Sequence, residues 1–209
     1  MSSLFMPLKQ NHIPITLIYS RVILGIIILI LSILNVPHYN IIAIILFSIG
    51  LLTDIFDGII ARHLNISTPK LRRLDSGADQ FFYICVGIAT FIECPVFFYD
   101  HSVKLIILTV VEAATYLVSF IKFRKEIATH AISSKLWSLI LFATLMQIML
   151  TCHSGILFEF CFYVGLITRL ENIAILLILP QWTNDVPSFF HALMIRKGRP
   201  VKRHKLFNG

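Results

Sequence analysis

Charge is scarce in this sequence. Only 14% of its 209 residues are Asp, Glu, Lys or Arg, against 57% hydrophobic, and the mean hydropathy is +0.83. A water-soluble domain of this length would expose more apolar surface than water tolerates. Short alternating apolar strands are missing too, which excludes a membrane β-barrel; the apolar runs are continuous. The four cysteines (Cys85, Cys94, Cys152, Cys161) form no CxxC pair and no cluster with histidine. That argues against a metal or redox site and casts them as small apolar fillers. There is no internal repeat and no low-complexity tract, and the first residues are not expected to act as a cleavable signal. The stretch "MSSLFMPLKQNHIPITLIYSR" turns apolar late, carries Arg21 and is followed by no small-residue cleavage pattern.

What is present is a set of long apolar runs. Six approach the roughly 20 residues that cross a hydrocarbon core of about 30 Å. They cover about 15–35, 40–61, 78–98, 103–121, 133–152 and 155–180. The expected fold is therefore all-α, a polytopic membrane protein with six transmembrane helices over residues 1–181 and a basic tail over 182–209. Residues 1–14 read as a short interfacial segment with a bend at Pro14.

The connections set the orientation. Segment 61–75 holds Arg62, Lys70, Arg72 and Arg73, segment 121–126 holds Lys122, Arg124 and Lys125, and the tail holds Arg196, Lys197, Arg199, Lys202, Arg203 and Lys205. Segments 35–40 and 151–155 hold no Lys or Arg, and 98–104 holds only Lys104. Alternate connections are thus basic, which places both termini in the cytoplasm. The net charge of +7 follows from that topology and from contact with anionic membrane lipid, so no nucleic-acid partner is expected.

Against this background "LLTDIFDGIIARHL" (51–64) stands out, with Asp54 and Asp57 near the cytoplasmic end of an apolar run. Asp54 lies eight residues before Arg62, about 12 Å deeper, at the depth of a lipid phosphate. Asp75 and Asp79 follow at the start of the third run. Spacings of three and four put each pair on one helix face, and the shared connection makes the two helix ends neighbours. Four carboxylates converging on one pocket cannot all stay ionised without compensation. Oxygen-only ligands favour Mg²⁺ or Mn²⁺, and cations held by shared carboxylates suit phosphoryl transfer. Structural pairing of these aspartates with Arg62, Arg72 and Arg73 is the competing reading. Gly58 and Ala61 share the Asp54 face. They leave room for a nucleotide or pyrophosphate, or serve helix packing.

The stretch 54–79 resembles the signature of the CDP-alcohol phosphatidyltransferases: D-x-x-D-G-x-x-A-R, eight residues, G, three residues, D, three residues, D. Asp54, Asp57, Gly58, Ala61, Arg62, Asp75 and Asp79 match at the right spacing, and Leu71 stands where the pattern has its second glycine. The six-span topology is similar as well. The resemblance implies a membrane enzyme of phospholipid biosynthesis, with a bacterial inner membrane as the expected setting. It would transfer a phosphatidyl or related group from a CDP-alcohol, such as CDP-diacylglycerol, to an acceptor alcohol and release CMP. It further implies that Asp54, Asp57 and Asp75 hold divalent metal, that Asp79 at the same site is the catalytic base, that Gly58 and Ala61 lie against the nucleotide and Arg62 near its phosphates, and that the enzyme is a homodimer. A divalent-cation or proton-coupled transporter and a non-catalytic relative are the alternatives for the same carboxylates.

Elsewhere, Lys135 begins the fifth run beside Ser133 and Ser134 and is a candidate to face the pocket, where it would suit a phosphorylated acceptor such as glycerol phosphate. Lys122, Arg124, Lys125 and His130 read as interfacial anchoring. Arg21 is on the cytoplasmic side of the first run, within reach of the same cavity. Arg169 and Glu171, two apart, cannot face one another on a helix, so they and Glu112 are expected to pair between helices.

Overall fold

In the computed structural model of the chain, residues 12–63, 68–125, 131–183 and 186–199 are described, the side chains of residues 12, 13, 61–63, 69, 70 and 72 excepted. All regular structure among them is helical: α1 (His12–Ile33), α2 (Tyr39–His63), α3 (Pro69–Glu93), α4 (Pro95–Asp100), α5 (Ser102–Phe123), α6 (Ile132–Thr151), α7 (Ile156–Ile178) and α8 (Phe189–Arg196). Five of these, α1, α2, α5, α6 and α7, are long and apolar enough to cross a membrane. The protein is an all-α polytopic membrane protein. α3 is the sixth long helix at 25 residues, and its first half, "PKLRRLDSGADQ", carries the charges that keep it out of that group.

The start of α3 is written locally. Thr68 is its N-cap and its hydroxyl accepts from the Leu71 N–H at 3.2 Å, while Pro69 opens the first turn. The helix thus begins nine residues before the expected span at 78. It also ends early, at Glu93, because Pro95 has no N–H to continue the ladder and restarts the chain as α4. The span expected over 78–98 is corrected at both ends.

The chain divides into two compact units. The first comprises residues 1–95 and 148–152, so α1–α3 with the last turn of α6. Here α1 packs against both α2 and α3. Its buried positions are Ile18, Arg21, Gly25, Ile28 and Ser32, a stripe with alternating spacings of three and four. The opposite face presents Ile23, Ile27 and Ile30, as a hydrocarbon solvent requires. Phe82 of α3 fills the centre. A Cβ at Gly25 would stand 3.2 Å from its ring and 3.4 Å from its backbone, and a Cβ at Gly50 of α2 would collide with the ring. The two glycines therefore let three backbones close around one aromatic side chain. Phe47 completes the contact at 5.7 Å between ring centroids.

Two cysteines depart from the expectation of apolar fillers. Cys94, the C-cap of α3, and Cys152, just past α6, form a disulfide within this unit. Cys85 and Cys161 are free and buried, as a filler would be.

The second unit, residues 96–147 and 153–209, pairs α5 with α7 and α7 with α8. Its interhelical pairing of charged side chains matches expectation: Arg169 of α7 forms an ion pair with Glu112 of α5 and lies 3.6 Å over the Trp137 ring. Glu171 accepts from Ser133 of α6 at 2.6 Å and from the Phe189 N–H of α8 at 3.2 Å. The basic stretch 182–209 contains α8, whose Ala192 joins Ile175, Leu179, Val186 and Ala131 in a buried cluster. Lys122 does more than anchor. Its ammonium donates to the Leu176 and Leu177 carbonyls (2.9 and 2.6 Å), where α7 runs out of N–H partners.

Candidate active site

The buried stripe of α2 runs Tyr39, Ala43, Phe47, Gly50 and continues through Asp54 to Asp57. On α3 the inner face carries Asp75, Asp79 and Phe82 at helical spacing. Both stripes face α1. The carboxylates therefore follow from the same periodicity that builds the helix contact, and they point inward rather than at lipid.

At the point of convergence stands Arg21. Its side chain is 1% exposed and contacts all four aspartates. Nη1 donates to Asp54 at 2.7 Å and pairs with Asp79; Nη2 pairs with Asp57 and Asp75. Asp57 is the floor of the site, 4% exposed, whereas Asp54, Asp75 and Asp79 keep about a third of their side-chain surface open. A buried guanidinium is tolerable only when paired, because it cannot lose its charge. The four carboxylates likewise need it. Counted by themselves, these four carboxylates and one guanidinium carry a formal surplus of three negative charges.

That surplus and the donor chemistry fit a divalent cation. Asp54, Asp57 and Asp75 each offer a ligand oxygen, all within 4.8 Å of one another. Hard oxygen donors at such separations suit Mg²⁺ or Mn²⁺.

The structure thus brings the four predicted aspartates together. Among the described residues Arg21 is a partner of all four; the side chains of Ala61, Arg62, Lys70 and Arg72 lie outside the described residues. Gly58 follows Asp57 on α2 and is half-buried. Lys135 lies in the first turn of α6, in the second unit, and is exposed. Leu71 occupies a helical position in the first turn of α3, so a side chain there asks for space but no unusual backbone. Sequence reading put Arg21 within reach and missed that it is the hub. The signal was its place in the stripe 18–21–25–28–32, where only a paired charge can sit.

Two features border the site. A cavity of about 470 Å³ opens between α1 and α3, walled by Ile18, Val22, Leu74, Ala78 and Phe81, with Arg73 on its lining. In the other direction along the helices, most buried positions are apolar or small, such as Gly25, Phe47, Gly50, Val86 and Ala89, with Ser32, Tyr39 and Thr90 among them.

A family model described as CDP-alcohol phosphatidyltransferase matches residues 11–181. No curated protein and no solved structure matches the chain.

Proposed function

Since the chain belongs to the CDP-alcohol phosphatidyltransferase family, a membrane transferase family of phospholipid biosynthesis, we propose that it moves a phosphatidyl group from CDP-diacylglycerol to a small acceptor alcohol and releases CMP. The observation that carries this reading is the convergence of Asp54, Asp57, Asp75 and Asp79 on one point from two helices.

Asp54, Asp57 and Asp75 would hold the divalent cation, Mg²⁺ or Mn²⁺. When bound, it supplies the charge stabilisation that a departing nucleotide phosphate needs. Asp79 takes the proton from the acceptor hydroxyl as its oxygen bonds to the diacylglycerol-linked phosphorus. The bond from that phosphorus to the bridging oxygen breaks, and CMP keeps the electron pair. Asp79 is suited to the role because it lies at the cluster yet stays a third open. Gly58 gives the nucleotide clearance beside Asp57, with Ala61 on the same face and Arg62 near the phosphates. The apolar cavity between α1 and α3 runs alongside the carboxylate stripe of α3 and fits an acyl chain of the donor.

Lys135, with Ser133 and Ser134, favours a phosphorylated acceptor, glycerol phosphate first among them. The active site and both termini face the cytoplasm of a bacterial inner membrane, on the strength of the basic connections, and the enzyme works as a homodimer in keeping with its family.

The test is CMP release by purified protein given CDP-diacylglycerol and, in turn, glycerol phosphate, inositol phosphate, serine and an aminoalcohol. Glycerol phosphate is expected to give the fastest release. Inertness with every CDP-alcohol and every acceptor would sink the reading.

A further inference from the structure

We propose that Arg21 is the resident counter-ion of the carboxylate cluster: it competes with divalent cations for Asp54, Asp57, Asp75 and Asp79 and so sets how tightly the site takes them. The inference rests on the reading that these carboxylates hold metal.

The geometry is specific to competition. Each terminal nitrogen of Arg21 bridges two carboxylates, one from each helix: Nη1 joins Asp54 to Asp79, and Nη2 joins Asp57 to Asp75. A planar fork with fixed donor directions is suited to this, and a point charge is not. The buried Nε has no hydrogen-bond partner. The four aspartates are therefore the guanidinium's anchorage, and no further bond to it is made among the described residues. Arg21 cannot neutralise itself, its neighbours along the buried stripe of α1 are Ile18 and Gly25, and among the described residues it has no ion pair besides the four aspartates.

A cation entering the same cluster spends the negative field that keeps Arg21 stable, and it meets the guanidinium's like charge. By linkage the effect is reciprocal: whatever the cation costs Arg21, Arg21 costs the cation. Arg21 is on this account a positioning residue. It holds four carboxylates in register across two helices and lowers their cation affinity, so that metal is exchangeable rather than trapped.

The experiment measures Mn²⁺ affinity of the purified full-length protein by the paramagnetic resonance of free Mn²⁺, and thermal unfolding with chelator or with Mn²⁺. Wild type, Arg21→Gln and Arg21→Lys are compared. Arg21→Gln is expected to bind Mn²⁺ at least about fivefold tighter, the lower end of typical coupling between sites. It should also unfold at a lower temperature than wild type in chelator and gain more from added Mn²⁺. Arg21→Lys, which keeps the charge but not the fork, should fall between the two. A residue with only a structural role would weaken Mn²⁺ binding when removed, so equal or weaker binding by Arg21→Gln overturns the inference. If that variant does not fold, Arg21→Lys decides by the same sign. If wild type itself binds no Mn²⁺, the metal reading fails and takes this inference with it, a result distinct from the first.

Discussion

Asp79 and Asp57 touch the same guanidinium, yet one is a third open and the other buried. That difference separates their roles. Asp79→Asn removes the proposed base but keeps size and most hydrogen bonding, so turnover should drop by about 10²–10⁴-fold, while binding of the CDP-alcohol, read by calorimetry, stays near the wild-type value. Equal loss of binding and turnover would assign Asp79 to the ligand set alone. At this scale the aspartates were legible because their spacings of three and four are simultaneously a helix-face pattern and a family signature. Arg21 was only partly legible. A lone arginine near the end of an apolar run is usually a snorkelling anchor, and its place in the stripe 18–21–25–28–32 marks the buried face only once the packing of α2 and α3 on α1 is known. The disulfide was not legible at all, since Cys94 and Cys152 stand 58 residues apart with no motif to join them.

Helix α1 organises the site, and it does so through small residues. Gly25 and Gly50 admit the Phe82 ring between backbones, and that approach brings Arg21 within reach of both acidic helices. Gly50→Val should therefore destabilise by about 1–3 kcal/mol through overpacking, and it should lower activity along with stability. Gly87, on α3, has open space where a Cβ would go. Gly87→Ala should leave activity alone and stabilise by up to about 1 kcal/mol, the helix-propensity difference. Thermal unfolding and CMP release on the two variants check both signs; equal effects would show that backbone approach at Gly50 is not what matters. The element pattern was readable wherever hydropathy was continuous, as in α2, α5, α6 and α7. It was misread where chemistry overrode hydropathy. The polar first half of α3 is helical because Thr68 and Pro69 start it, and the apolar run beyond Glu93 is broken because Pro95 stops it. α8 lies in a stretch whose basic residues concealed the apolar face that Ala192 presents.

On the scale of the chain, two independent features bear on orientation. Basic connections fall at the end of α2, between α5 and α6, and after α7; the disulfide closes the end of α3 remote from its aspartates. Disulfides persist in oxidising compartments, so Cys94 and Cys152 should face away from the cytoplasm and the carboxylates toward it. In intact cells, a membrane-impermeant maleimide should label these two cysteines only after a reductant is added, with Cys85 and Cys161 silent because both are buried. Labelling that requires disrupted cells would reverse the topology. On the proposed function the carboxylate cluster of α2 and α3 is a cation-dependent site for CMP release. Its most direct test is the rate of CMP formation from CDP-diacylglycerol and glycerol phosphate by chelator-treated enzyme as Mn²⁺ or Mg²⁺ is restored. The account predicts a rate at least about a hundredfold lower without cation, corresponding to several kcal/mol of lost charge stabilisation, and full recovery on titration. A rate that is the same with and without cation would contradict it.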